Sequence, residues 1–394
     1  MSFLLGVVIF VIALLISVML HEAGHFATAK MFGMKVTQFF VGFGPTIWST
    51  KKGETEYGVK GIPAGGFNKI VGMTELEDVD PADEPRSFRR QAGWKRIIVL
   101  GAGSFMHFML ALFLLAIVAA GIGLETYSGT TAVGAIETCV PAHGTSVCTT
   151  KDPVSPAKKA GLRAGDKIVS IGGIPVHNWT QEGEAIRAQS PGTPVAVVVE
   201  RNGRQVTLHP TFARRTGGGT FLGVDEQIVF RRSGPLSAAS YAGHEFWSMV
   251  AGSAQVAASL PKAIPDLFAK DRAKTPGGDV TSVVGAAGVT GQVVQARIGW
   301  QPKVDLVLLI IASLNIFVGI FNLLPLLPMD GGHIAVVIYE RIRYWLARLR
   351  GKPDPGPVDY RRLIPVSVGV FALLVGVGLL LIMADIVNPI HITQ

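Results

Sequence analysis

Charge is scarce in this 394-residue chain: Asp, Glu, Lys and Arg make up 16% of it, against about 25% in soluble domains. With 49% hydrophobic residues and a mean hydropathy of +0.41, an ordinary soluble globule is excluded. The scarcity is concentrated. Residues 3–20, 97–124, 306–329 and 363–384 contain no Asp, Glu, Lys or Arg, and each stretch can cross a hydrocarbon core of about 30 Å. The first lacks the basic leading segment and small-residue cleavage site of a signal peptide, and polar side chains follow it at once. It is read as a retained helix. No internal repeat is visible, which argues against a transporter built from inverted repeats. Cysteine is nearly missing too, with only Cys139 and Cys148.

The net charge of +8 invites a nucleic-acid partner, but its distribution argues against one. Lys51, Lys52, Arg86, Arg89, Arg90, Lys95 and Arg96 fall between the first and second spans. Arg341, Arg343, Arg348, Arg350, Arg361 and Arg362 fall between the third and fourth. Positive loops face the cytoplasm, so both termini and the long middle segment from about residue 125 to 305 are expected outside. There, in an oxidising compartment, Cys139 and Cys148 are expected to form one disulfide.

Within the first cytoplasmic loop, 46–51 and 55–60 flank Lys52-Gly53-Glu54 and read as a hairpin. Ile62-Pro63-Ala64-Gly65-Gly66-Phe67 follows, where Gly65 and Gly66 allow a tight turn or a close backbone approach. The stretch 75–84 is acidic and reads as solvated. Four segments are expected: 1–130 with two spans and the β-loop, a β-rich domain at 131–215, an outward helical segment at 216–303, and 304–394 with the last two spans. In the β-rich domain, 155–162 reads as a short helix, and 195–200 and 205–208 as strands joined by an Asn202-Gly203 turn. In the helical segment, 237–260 is the best helix, with Pro261 as its stop, and 271–278 reads as a loop. Residues 334–349 interleave Arg with Val, Ile, Tyr and Trp, a pattern suited to a helix lying on the inner membrane surface.

The sharpest chemical signal is His21-Glu22-Ala23-Gly24-His25. On a helix the two histidines share a face, so both can hold one Zn²⁺ with Glu22 beside it as general base. The bland alternative is a polar cluster marking the lipid headgroups. Its place at the end of an apolar span, where polar residues are costly and usually functional, favours the metal. A catalytic zinc needs a third protein ligand. The candidate is Asp330, behind the helix-breaking Pro325 and Pro328 in Asn322-Leu-Leu-Pro325-Leu-Leu-Pro328-Met329-Asp330-Gly331-Gly332-His333. The alternative there is a plain helix stop. Irregular backbone at membrane depth is tolerated only where protein or a water-filled cavity satisfies it, and that favours a ligand placed in a cavity.

His-Glu-x-x-His closing a first span, with Asn-x-x-Pro and Asp-Gly after a late one, resembles the site-2 protease family of intramembrane zinc metalloproteases. Gly42-Phe43-Gly44-Pro45 and Pro63-Ala64-Gly65-Gly66-Phe67 resemble that family's membrane-associated β-loop. The run from Ser155 to Asp166 resembles the helix-to-strand signature of a PDZ domain. The two-cysteine insert and the ending Ala384-Asp385-Ile386-Val387-Asn388-Pro389-Ile390 look like the actinobacterial branch. The resemblance implies a polytopic α-helical membrane protein with four transmembrane helices, a β-loop and an extracytoplasmic PDZ domain, in a bacterial plasma membrane. It implies His21, His25 and Asp330 as ligands of one Zn²⁺, Glu22 as base, and Asn322 as a polar group contacting substrate or the developing oxyanion. It also implies single-span substrates such as anti-sigma factors, already trimmed by a site-1 protease, in regulated intramembrane proteolysis of a stress response. One departure stands in the second span. The family's Gly-Pro-x-x-Asn is replaced by Gly103-Ser104-Phe105-Met106-His107, so His107 either takes the asparagine's role or bonds a neighbouring helix.

A substrate's shielded transmembrane helix must unwind, and the β-loop with Gly65 and Gly66 is expected to receive it as an added strand. In the outward domain, the edge Val133-Gly134-Ala135-Ile136 is expected to offer backbone N–H groups, Gly134 among them, to a terminal carboxylate. Bulk alone would suffice for that domain to exclude untrimmed substrates. The competing function is a non-catalytic PDZ scaffold in the membrane. The presence of Glu22, which such a scaffold would be free to lose, argues against it.

Overall fold

The computed structural model describes residues 1–73, 77–141, 148, 152–214, 218–269, 272, 275 and 280–390. The chain divides into two compact units, one of Met1–Ile122 with Ser233–Gln394 and one of Gly123–Arg232. Of the loop expected at 271–278, all but Arg272 and Thr275 lies outside the described residues.

The first unit begins with helix α1 (Ser2–Met31). Its buried residues Gly6, Phe10, Ser17, His21, Gly24, His25 and Ala29 recur at helical spacing and form one face. Strands β1 (Val36–Lys52) and β2 (Thr55–Ile70) follow. The hairpin turn sits where the sequence placed it, with Lys52 opposite Thr55. However, the strands run much further, because both bend. Gly42 and Gly44, at φ of 85° and 83°, let β1 fold across itself. Phe40 thus pairs with both Gly58 and Phe67, and Gly58 with both Phe40 and Ser49. The two strands make a four-segment sheet in the order 46–52, 55–60, 36–41, 66–70.

Helix α2 (Gly93–Ile117), continued by a wider turn over Val118–Ile122, packs on α1. The crossing is close because its residues are small. A Cβ on Gly24 would lie 2.6 Å from the carbonyl of Ala102, and one on Gly103 would lie 2.5 Å from His25 Nε2.

The second unit holds β3 (Leu124–Tyr127), β4 (Val133–Ile136), α3 (Pro156–Ala160), β5 (Lys167–Ile171), β6 (Ile174–Pro175), α4 (Trp179–Arg187), β7 (Val197–Arg201) and β8 (Arg204–Leu208). It continues with β9 (Ala213–Arg214), β10 (Thr220–Phe221), β11 (Val224–Glu226) and β12 (Ile228–Arg231). Strands β6, β5, β7 and β8 form one sheet in that order. Val133, Ile168, Ile171, Val197, Val199 and Phe212 fill its core. Ser155 caps α3 by accepting from Lys158 N, and Gly161 ends it at φ 79°, the left-handed turn that glycine takes without penalty. Cys139 and Cys148 are joined by a disulfide.

One expectation is corrected here. Residues 220–231 hold three short strands rather than part of a helical segment: β10 pairs with β9, β11 with β4 and β12 with β3. Short two- to four-residue strands leave too little periodicity to be read alone. β11 pairs along one of the two edges of 133–136, and a Cβ on Gly134 would lie 2.5 Å from the Glu226 carbonyl. Gly134 serves that internal contact, and a larger residue there has no room.

Helix α5 (Pro235–Ala263) returns the chain to the first unit and passes the expected stop at Pro261. A proline lacks only its own N–H and clashes with the turn before it, and here the helix ends two residues later. Then come α6 (Val283–Gln295), α7 (Trp300–Asn322), α8 (Asp330–Leu349) and α9 (Ile364–Val387). Among the described residues, α1, α2 with its continuation, α7 and α9 are long and apolar enough to cross a membrane. The third apolar stretch breaks at Asn322, and residues 323–329 turn back before α8 begins.

Candidate active site

Three elements bring the site together. Helix α1 carries His21, Glu22 and His25. Helix α2 lies against both histidines through Gly103. The turn at 323–329 aims the first residue of α8, Asp330, back at them. That turn is held tight by bonds from Leu326 N to Leu324 O at 2.7 Å and from Met329 N to Leu326 O at 2.9 Å. Gly331 and Gly332 permit it, since a Cβ on either would meet backbone of residues 323–327 within 2.6 Å. Asp330 also begins a helix, where the backbone dipole favours a carboxylate.

His21 Nε2 and His25 Nε2 are 3.0 Å apart, and Asp330 Oδ2 is 3.4 Å from the first and 3.3 Å from the second. Zinc bonds of about 2.0–2.1 Å set tetrahedral ligand atoms roughly 3.3 Å apart, so the three atoms fit one Zn²⁺. Two facing imidazole nitrogens and a carboxylate oxygen, all largely buried, are the donor set of a catalytic zinc. His25 donates its other ring N–H to the Val99 carbonyl at 2.7 Å, the bond that orients a metal-binding histidine.

Glu22 lies beside this cluster and is held from the sheet. Asn68 Nδ2 donates to Glu22 Oε2 at 2.6 Å and to its backbone carbonyl at 3.3 Å. Gly66 makes the approach possible: a Cβ there would lie 2.7 Å from Met19 Sδ and 3.4 Å from Glu22 Cγ. Gly65, at φ 137°, turns the strand against Phe43. Asn322 is the last residue of α7 and half-buried. Gly134, in the other unit, lines a cavity of about 880 Å³ with Trp179, Asp225 and Glu226.

Asn68 escaped the sequence reading. It follows the Gly65-Gly66-Phe67 run by one residue, and nothing marks an asparagine in a strand as reaching a helix 46 positions earlier. His107 is also resolved as to its neighbour: it is buried and its Nδ1 lies 2.7 Å from Asn315 Oδ1 on α7.

A helical membrane body holding a two-histidine, one-carboxylate cluster, with a glutamate between the histidines, defines a membrane metalloprotease. Residues 9–352 match the profile of Peptidase family M50. The chain is 38% identical to the zinc metalloprotease Rip1 of Mycobacterium tuberculosis over 416 residues, covering 100% of both chains. It is 36% identical to the zinc metalloprotease Rip1 of Mycolicibacterium smegmatis over 420 residues, again 100% of both. The chain belongs to peptidase family M50, the site-2 proteases; it is a multi-pass membrane zinc metalloprotease, and its cofactor is Zn²⁺.

Proposed function

We propose that this protein is an intramembrane endopeptidase that cuts the transmembrane segment of single-span proteins, with His21, His25 and Asp330 holding zinc and Glu22 as the base. The observation that carries the reading is the convergence of three ligand atoms within 3.4 Å of one another, on and beside apolar helices, with a sheet reaching Glu22. Zinc held there supplies Lewis acidity, which polarises a carbonyl and acidifies water. Glu22 takes the proton of the attacking water and returns it to the leaving amine. Asn68 holds one oxygen of Glu22 and leaves the other to face the reaction. Gly65 and Gly66 keep the sheet close enough for an unwound substrate strand to pass Glu22. Asn322 ends α7 at the helix break that precedes Asp330, a position suited to a polar contact with substrate.

The second unit is proposed to be a PDZ domain on the outer side, and both termini are proposed to face outward, following the positive loops. Anti-sigma factors shortened by a site-1 protease are the proposed substrates. Their trimmed outward stubs suit a domain that acts by bulk, because size exclusion needs no intact carboxylate pocket.

Co-expression with candidate single-span anti-sigma factors tests the proposal. The wild type is expected to shorten the trimmed substrate. Glu22→Gln is expected to be slower by about 10²–10⁴-fold, the usual share of a general base, with zinc retained. Near-normal turnover by Glu22→Gln rules the mechanism out.

A further inference from the structure

His21 and His25 differ in one respect. His25 donates Nδ1–H to the Val99 carbonyl, whereas His21 Nδ1 is buried and has no hydrogen-bond partner. A histidine that binds metal through one nitrogen almost always donates the other N–H. The edge of His21 that carries Nδ1 faces α2: a Cβ on Gly103 would lie 2.4 Å from His21 Cε1 and 2.6 Å from Nδ1. One turn further along that face of α2 is His107, whose ring centre is 5.1 Å from that of His21. Two facing ring nitrogens about 2.9 Å apart, each roughly 1.1 Å from its ring centre, need centres about 5.1 Å apart; the two rings have that spacing but, tilted by 45°, do not form the bond as they stand.

The hydrogen bonds beyond His107 decide which of its nitrogens carries the proton. Asn315 Nδ2 lies 2.8 Å from the Ile311 carbonyl, which can only accept, so this atom is the amide nitrogen. It also donates to Ser17 Oγ at 3.1 Å, and Ser17 Oγ–H donates to the Ala13 carbonyl at 2.9 Å. The remaining atom of the amide, Oδ1, accepts, so His107 Nδ1 must be the donor across their 2.7 Å contact. In the neutral ring this leaves a lone pair on Nε2.

We infer that His107 is a positioning residue of the metal site: once zinc holds His21 by Nε2, a rotation of the two rings lets His107 Nε2 accept the Nδ1–H of His21. The result is a directional chain from His21 through His107, Asn315 and Ser17 to the Ala13 carbonyl, in which every proton points the same way. It ties α1, α2 and α7 together and fixes the plane of a ligand ring. The inference rests on His21 being a zinc ligand through Nε2.

The test is zinc affinity of the purified full-length protein, measured by competition with a chelator, for the wild type, His21→Ala, His107→Phe and His107→Gln. His107→Phe is expected to lose about 10–100-fold in affinity, the usual cost of removing such a partner. His107→Gln, whose amide can both donate to Asn315 and accept from His21, is expected to recover most of it. Melting of the metal-free forms separates this from a general loss of fold. Zinc-loaded wild type labelled with ¹⁵N-histidine provides a check that needs no variant: His107 is expected protonated on Nδ1 and His21 on Nδ1. A folded His107→Phe protein within about twofold of wild-type affinity, or His107 protonated on Nε2, overturns the inference. Undiminished zinc binding by His21→Ala instead overturns the ligand assignment beneath it.

Discussion

Helix α1 buries Phe10, Ser17, His21, Gly24 and His25 along one face, whereas α9 buries only Ala384 and Asp385, both near its C-terminal end. The apolar window of α9 has no buried residue at all. Both helices suit lipid, but only α1 has a face shaped by neighbours. α9 is held by polar contacts at one end instead. Arg272 Nη1 lies 2.8 Å from Asp385 Oδ1, with both side chains 2% exposed. Asp385 Oδ2 accepts from Ser282 N at 2.7 Å and Thr281 Oγ1 at 3.1 Å, and Asn388 donates to the Ala269 carbonyl at 2.8 Å. In lipid, apolar surface gives helices no hydrophobic drive to associate, so packing and polar bonds carry the association. α1 uses both, and α9 depends on the second.

Exchanging Asp330, which faces the histidines of α1, and Asp385 of α9 breaks this comparison most sharply. Asp330→Ala is expected to remove most bound zinc and with it all measurable proteolysis. Asp385→Ala is expected to keep zinc stoichiometry but lower stability by about 3–5 kcal/mol, the cost of stranding one partner of a buried ion pair. Zinc analysis and denaturant melts in detergent read both. Full zinc in a folded Asp330→Ala protein would point to another ligand.

A third kind of burial sharpens the contrast. Glu182 on α4 is fully buried, and neither carboxyl oxygen has a hydrogen-bond partner. Burial, helped by the Glu226 carboxylate, pushes its pKa from 4.5 up to about 8. The unfolded carboxyl ionises near 4.5 while the folded one stays protonated. The second unit is therefore expected to lose stability as pH rises from about 4.5 to 8, by several kcal/mol at roughly 1.4 kcal/mol per unit of pKa. Glu182→Gln is expected to flatten that slope in amide-exchange measurements on β5 and β7. An unchanged pH dependence would mean the carboxyl is not the source.

The smallest effect belongs to the open surface of α9. Leu373, 65% exposed, is expected to tolerate alanine within about 0.5 kcal/mol. Phe10→Ala on the packed face of α1 is expected to cost about 3–5 kcal/mol. Equal losses at the two positions would show that α9 has a partner that covers it.

The features legible in sequence are those whose signal is local. Long uncharged runs mark the spans, and His21, Glu22 and His25 sit within five residues of one another. Asp330 was legible because the prolines before it cannot continue a helix. The turn at Gly53 was legible, but the bends that fold β1 and β2 into four segments were not, since glycine permits a bend without requiring one. Asn68, Asn315 and Ser17 carry no mark of their own. Their roles exist only because small residues such as Gly24, Gly66 and Gly103 let distant segments touch. The strands at 224–231 were missed for a related reason: their partners, β4 and β3, lie about 90–105 positions earlier, and each is too short to alternate visibly.

Asn68 sits on the outer segment of the sheet, 66–70, which among the described residues pairs on one side only, with 36–41. The same segment grips Glu22. Successive side chains of a strand point to opposite faces, and a slip of one residue turns every side chain over. A substrate added along 66–70 would therefore be read in a frame of two. Its cut positions are expected to shift by even numbers of residues when the sequence is changed, so that products differing by a single residue would be disfavoured.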